Sequence, residues 1–287
     1  MPLASTDRVL AATPLAAGAF NVVLIEQLEA VLTGAARAGL PVIVQISENA
    51  VAYRGALAPL AAAAHAAIAA TDVPVALHLD HATRVDLIEE AVARGFTSVM
   101  YDGAHLPWEE NVARTREVTQ WCHERKVFVE AELGEIGGKD GAHAPGVRTD
   151  PREAARFVAD TGVDALAVAV GTSHQMSDRT ATVDLDLVRA LRAAVPVPLV
   201  LHGSSGADDA TLQAAVHAGM KKINMSTHLN VVFTGAARAT LDADPAVVDP
   251  RRYLRPARHA MAGEVARLLR RLNTPQQVLT ATAPAAR

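Results

Sequence analysis

Residues 75–96 read VALHLDHATRVDLIEEAVARGF. The first half is an apolar run with strand character that ends in His78, Asp80 and His81. The second half changes period: Val85, Ile88 and Val92 recur at helical spacing, and Gly95 supplies a stop. A buried strand thus runs straight into a helix, with ionisable groups at the junction.

The same unit recurs along the chain. Strand-like runs AGAFNVV, PVIVQIS, PVALHLDH, SVMYD, VFVEAEL, ALAVAVG, PLVLHG and KINMS begin near residues 17, 41, 74, 98, 127, 165, 198 and 222. Most are continuously apolar rather than alternating, which marks strands covered on both faces in a parallel sheet. Between them lie helical patterns. Residues 149–162 offer Thr149 or Asp150 as cap, Pro151 at the first helical position, an apolar stripe at Phe157 and Val158, and a stop at Gly162. Residues 208–219 repeat the design with Leu212, Ala215, Val216 and Gly219. Eight such units in 287 residues predict an α/β fold of the (β/α)8 TIM-barrel kind, a single domain spanning residues 1–287. A doubly wound open sheet would need a glycine-rich phosphate loop after the first strand, and AFNVVLIEQLE has none.

Composition narrows the function. Half the chain is apolar, a fifth is charged and the net charge is −4, with no basic block to meet nucleic acid or an anionic membrane. The lone cysteine, Cys122, excludes an internal disulfide and fits a reducing cytoplasm. The N-terminal residues lack the pattern of a secretory signal. No apolar run reaches the ~18–20 residues needed to span a bilayer. A cytoplasmic protein that partners neither nucleic acid nor membrane is expected.

Two connections are long, GEIGGKDGAHAPGVRT (134–149) and GTSHQMSDRTATV (171–183). Both follow strand C-terminal ends, the rim where such a barrel keeps its chemistry. On that rim fall three histidines: His81 after the third strand, His174 after the sixth and His202 at the seventh. Three imidazoles with an open fourth position make the ligand set of a catalytic zinc. Strict alternation puts His78 and Asp80 on one face and His81 on the other. Either His81 lies past the strand end, where the chain is turning, or the metal uses His78. The first reading is preferred because the helix begins within three residues. VEAELGEIGG adds Glu130, Glu132 and Glu135, inward carboxylates able to serve as acid, base or partner to a ligand, or to form a structural charge pair inside the barrel. HGSSG and NMST are runs of small residues whose backbone N–H groups suit an anion, at the two strands where barrels often hold phosphate.

Taken together, HLDH, GFTSVMYDG, ENVARTREV, VEAELGEIGG, TDPREAARFV, TGVDALAVAVGTSH, PLVLHGSSG and KINMSTHLN resemble, in order, the motifs of class II metal-dependent ketose-bisphosphate aldolases. The resemblance covers roughly residues 15–270, and DPRRYLRPARHAM near the C-terminus also looks like that family. NMST, in place of an Asn-x-Asp-Thr run, is similar to the branch that includes tagatose-bisphosphate aldolases. The resemblance implies a zinc enzyme that yields dihydroxyacetone phosphate from a sugar phosphate, with room for a monovalent cation near the phosphate site. It implies His81, His174 and His202 as zinc ligands and Asp80 as the acid/base at the C4 hydroxyl. Asn21 and Asn224 match residues that hold the enediolate, and Glu132 matches a carboxylate near the metal. Gly203, Ser205 and Thr227 match the donor-phosphate cradle. Ser47 and Arg251 match contacts to the other phosphate, the arginine coming from a neighbouring subunit of a homodimer or homotetramer.

Three positions depart from the family pattern. Asp140 stands where the family's loop presents a glutamate for the C3 proton. Gln175 replaces a glycine after the histidine of the sixth strand, where its side chain is expected to crowd the donor phosphate or change which donor fits. Ser226 stands where many fructose-bisphosphate aldolases carry an aspartate that touches substrate hydroxyls. Two other readings compete. A zinc hydrolase with Asp80 as base explains the histidines but neither the anion cradles nor the two asparagines. A non-catalytic barrel that binds metal and sugar phosphate would accommodate Asp140 and Gln175.

Overall fold

The computed structural model describes residues 2–134, 148–173 and 178–275. Eight parallel strands close into a barrel in sequence order: β1 Ala17–Asn21, β2 Val42–Ser47, β3 Val75–Ala82, β4 Ser98–Tyr101, β5 Phe128–Leu133, β6 Ala165–Val168, β7 Leu199–Leu201 and β8 Met220–Met225. The expected TIM barrel is therefore present, and β8 pairs with β1 to close it. β8 starts two residues ahead of its sequence-based position, because Met220 already pairs with Leu199 of β7.

The helices are α1 Thr6–Ala12, α2 Ile25–Ala38, α3 Glu48–Arg54, α4 Ala58–Ala69, α5 Val85–Ala93, α6 Trp108–His123, α7 Pro151–Thr161, α8 Leu185–Ala194, α9 Asp209–Ala218, α10 Thr227–Ala243 and α11 Pro250–Leu272. Four of them open on an aspartate whose side chain accepts backbone N–H groups of the first turn: Asp150, Asp184, Asp208 and Asp249. Asp150, rather than Thr149, therefore caps α7. Thr149 instead donates its hydroxyl to Leu133 O and accepts from Ala169 N, tying together the chain ends that leave β5 and β6. α11 packs closely on α2. A Cβ on Gly34 would lie 2.6 Å from Val265 Cβ and 2.7 Å from Ala262 O, so only glycine permits this approach.

Inside the barrel the inward residues change character from bottom to top. At the bottom Ala17, Ala19, Ile43 and Ala76 form a small apolar cluster with Ala4 and Val9, and Leu10 packs against it. Helix α1, for which the sequence showed no signal, thus plugs the bottom of the barrel. Higher up several inward positions are polar and stay buried beside an apolar cluster of Met100, Ala165, Ala167 and Val200: Gln45, His78, Glu130, Lys222 and His202 are all wholly inaccessible to solvent. Among the described residues no helix is long and apolar enough to cross a membrane.

A chain of ion pairs ties the outer helices together. Arg179 donates to Asp209 at 2.9 Å, Arg267 pairs with both Asp209 and Glu264, and His228 Nε2 lies 2.6 Å from Glu264 Oε1. Burial works against the Glu264 charge, but Arg267 and His228 outweigh it and hold the carboxyl at about 2, against an ordinary 4.5. A depressed carboxyl stabilises the fold fully above its unfolded value and loses that contribution as pH falls through the folded one. Glu264→Gln is therefore expected to shrink the difference in stability between pH 7 and pH 3 by of order 1 kcal/mol, after discounting for solvent screening. Urea midpoints of the two proteins at both pH values check this.

Candidate active site

The rim of the barrel is organised by one backbone irregularity. Strand β3 does not end before His81, as the sequence reading preferred, but continues to Ala82. His81 has a positive φ of 50°, and the β3–β4 register shifts between Leu79 and Ala82. The left-handed residue breaks the alternation, so Asp80 stays on the inward face while His81 turns to the same cavity. Such a conformation costs of order 1 kcal/mol or more for a non-glycine residue. It is held from two sides: His81 Nδ1 donates to Asp102 Oδ2 at 2.8 Å, and Glu48 Oε2 accepts from Thr83 N at 2.7 Å.

His78 plays a different part. Its Nδ1 lies 2.8 Å from Ser98 Oγ, which accepts the Thr6 hydroxyl at 2.7 Å. Burial, reinforced by Lys222, pushes His78 well below the ordinary histidine range. His78 is thus a neutral histidine of the barrel interior, bound toward α1 and away from the rim.

His81 and His202 come together edge to face, their ring centroids 4.7 Å apart. His81 Nε2 and His202 Nδ1 stand 2.9 Å from each other. The other nitrogen of His202, Nε2, lies 2.9 Å from Glu130 Oε1 and 3.0 Å from Asn224 Nδ2. Ligand-capable atoms of Asp80, His81 and His202 all lie within 4.8 Å of one another, and those of His81, Asp102 and Glu132 form a second such group. Glu132 Oε2 is 3.9 Å from His81 Nδ1. Two imidazoles with a nitrogen each turned to one point, beside a buried carboxylate, suit a borderline cation such as zinc.

Asp80 is buried, and its Oδ2 accepts from Asn21 Nδ2 at 2.7 Å. Oδ1 has no hydrogen-bond partner among the described residues. Burial, the largest influence, raises its pKa, but His81, His202, Lys222 and the Asn21 hydrogen bond together overcome it and hold Asp80 below the ordinary aspartate value. Asp80 is therefore a carboxylate at neutral pH, with one oxygen anchored and the other facing the site.

The run of small residues read from the sequence as an anion cradle lies across the cavity. Gly203 has φ 64°, and a Cβ there would meet the Ser173 backbone at 2.7 Å. The single turn Ser204–Gly206 follows it, and Ser204 donates to Asn224 O. Ser226 N donates to Ser205 Oγ at 3.3 Å, and α10 begins at Thr227. One cavity of about 180 Å³ is lined by Asn21, Ser47, Asp80, His81, His202, Gly203, Ser205, Asn224, Ser226 and Thr227, together with Asn49, Ser204 and Met225. Ser47 also caps α3, accepting from Ala50 N at 3.1 Å.

Ten of the sequence-derived site residues thus line one cavity, and Glu132 sits just behind it. His174, Gln175 and Asp140 lie outside the described residues. Arg251 does not join the cavity: it is held by Asp249 at the start of α11 with its side chain 82% exposed. Sequence reading missed Asp102, a single aspartate after an apolar strand. It also missed Asn49, two residues beyond Ser47; the charge pair inside the barrel that it allowed for the strand-five glutamates is found at Glu130, but its partner, Lys222, was not foreseen.

A closed barrel with a metal-capable histidine pair, a carboxylate and an anion cradle at its C-terminal rim defines an enzyme of the TIM-barrel class. Comparison with known proteins narrows it. The family model for class-II fructose-bisphosphate aldolase matches residues 8–277, and the chain belongs to that family. It is similar to the YdjI aldolase from Escherichia coli K12, with 30% identity over 95% of this chain and 98% of that one and a TM-score of 0.82. It is also similar to the fructose-bisphosphate aldolase of Campylobacter jejuni, with 25% identity over 94% and 95% of the two chains and a TM-score of 0.79. The protein is thus a lyase of the aldolase type.

Proposed function

We propose that this enzyme catalyses the zinc-dependent, reversible aldol cleavage of a phosphorylated ketose, of the fructose or tagatose 1,6-bisphosphate type, to dihydroxyacetone phosphate and an aldehyde. The observation that carries the proposal is the meeting of His81 Nε2 and His202 Nδ1 at 2.9 Å, in one cavity with Asp80. His81 and His202 would hold the zinc, with His174 as the third ligand. Zinc supplies a Lewis acid for the negative charge that develops beside a carbonyl when the C–C bond breaks.

The chain's own residues do the rest. Asp80 takes the C4 hydroxyl proton through its outward oxygen and returns it to the aldehyde oxygen in the reverse direction. Asn21 fixes that carboxylate by holding Oδ2, and with Asn224 it steadies the enediolate. Gly203, Ser205 and Thr227 receive the donor phosphate through backbone and hydroxyl donors, Ser226 takes the place of the family's contact to substrate hydroxyls, and Gln175 would crowd the donor phosphate or change which donor fits. Ser47 and Arg251 of a neighbouring copy meet the far phosphate. Asp140 exchanges the C3 proton, and Glu132 supports the metal from behind His81. The asparagines and the cradle favour this reading over a hydrolase, which needs neither.

Release of dihydroxyacetone phosphate from fructose and tagatose 1,6-bisphosphates, assayed side by side, tests the substrate. The expected result is cleavage of at least one epimer. Absence of cleavage of both, with zinc bound, would place the substrate outside this class.

A further inference from the structure

The proposed reaction leaves one buried ion pair without a role. Glu130 of β5 and Lys222 of β8 are wholly inaccessible to solvent, and Lys222 Nζ donates to Glu130 Oε2 at 2.6 Å. Strands β6 and β7 separate the two, so the pair bridges the barrel interior rather than neighbouring strands. Replacing a buried ion pair by apolar residues of similar volume is often neutral or stabilising, so the fold alone does not call for it.

Its second contact suggests what does. Glu130 Oε1 lies 2.9 Å from His202 Nε2. A lysine ammonium only donates and a carboxylate only accepts. With Oε2 engaged by Lys222, Oε1 accepts the hydrogen carried by His202 Nε2. The lone pair of His202 then sits on Nδ1, the atom 2.9 Å from His81 Nε2. Asp102 acts on His81 in the same way, but from the opposite nitrogen: it accepts from Nδ1 at 2.8 Å and leaves the lone pair on Nε2. The two rings therefore turn different nitrogens to one point.

We infer that Glu130 and Lys222 are positioning residues for the metal: Lys222 anchors Glu130, and Glu130 fixes the tautomer and plane of His202 so that Nδ1 faces the ion. This rests on the reading of His81 and His202 as ligands and adds two residues and an atom assignment to it. A consequence follows for Asn224, whose amide nitrogen is placed 3.0 Å from the same Nε2. Two donors do not face each other, and an amide offers a donor at one end and an acceptor of nearly the same shape at the other. The Asn224 amide is therefore turned, oxygen toward His202 and NH2 toward the cavity.

The test uses the full chain and zinc, with affinity measured by competition against a chromophoric chelator. In Glu130→Gln the new amide can turn its NH2 to His202 Nε2, which drives the ring hydrogen to Nδ1. Zinc affinity is expected to fall about 10–100-fold. The double variant E130L/K222M removes both charges and both hydrogen-bonding groups of the pair together, so no lone ion and no replacement acceptor is left inside the barrel. It is expected to melt near the wild-type temperature and still lose zinc affinity to the same degree. Ring nitrogen resonances of His202 should report the Nε2–H tautomer in the wild type and its loss in the double variant. Wild-type zinc affinity and an unchanged tautomer in a folded double variant would overturn the inference while leaving the function proposal intact. A wild-type chain that takes up no zinc would overturn both.

Discussion

Replacing Asp80 with alanine is expected to slow cleavage by about 10²–10⁴-fold, the usual worth of a positioned acid/base group, while the protein keeps its metal. The carboxylate is buried and its pKa lies below the ordinary aspartate value, so it is ready to accept a proton throughout the neutral range. One oxygen is fixed by Asn21 at 2.7 Å, which leaves the other to serve the substrate. Asn21→Ala should accordingly reduce turnover less than the loss of Asp80, because the carboxylate remains and only its orientation relaxes. Metal analysis must accompany the kinetics, since Asp80 lies within ligand distance of both histidines. Near-normal turnover in Asp80→Ala would refute the proton-transfer role. Loss of zinc together with turnover would make Asp80 a ligand instead.

His202→Ala is expected to abolish both zinc uptake and turnover. Removal of this ring takes away one of the proposed ligands and also deprives Glu130 Oε1 of its donor. An unsatisfied buried acceptor costs roughly 1–3 kcal/mol, so the alanine variant should also melt a few degrees lower. His202→Gln separates the two effects. Its amide can still donate to Glu130 and so restore much of the stability, but it does not replace an imidazole ligand. A glutamine variant that folds like the wild type and binds no zinc is the outcome that supports the assignment. Zinc bound at wild-type affinity in either variant would remove His202 from the site.

The barrel was legible because its strands are buried on both faces and each hands over to a capped helix. Asp150, Asp208, Gly162 and Gly219 are local signals that need no tertiary context. Helix α1 escaped notice for the opposite reason: at seven residues, without a side-chain cap, it forms because the barrel bottom offers Ala17, Ala19 and Ile43 to cover. At the site, the donor types and their strand ends were readable, and ten of the expected residues line one cavity. Two features were not. The left-handed turn at His81 has no signature in the local sequence, since no glycine marks it, and Asp102 just past the neighbouring strand, with Glu48 on Thr83 N, explains why it is tolerated. The joining of Glu130 to Lys222 was equally hidden, because residues on strands β5 and β8 meet only once the barrel has closed.

The most direct test of zinc-dependent aldol cleavage is a paired measurement on the purified full chain. Bound zinc is quantified while dihydroxyacetone phosphate release from a ketose bisphosphate is followed before chelation, after it, and after zinc is restored. Cleavage that vanishes with the metal and returns in proportion to zinc taken up is the predicted result. Cleavage that persists in metal-free protein would contradict it.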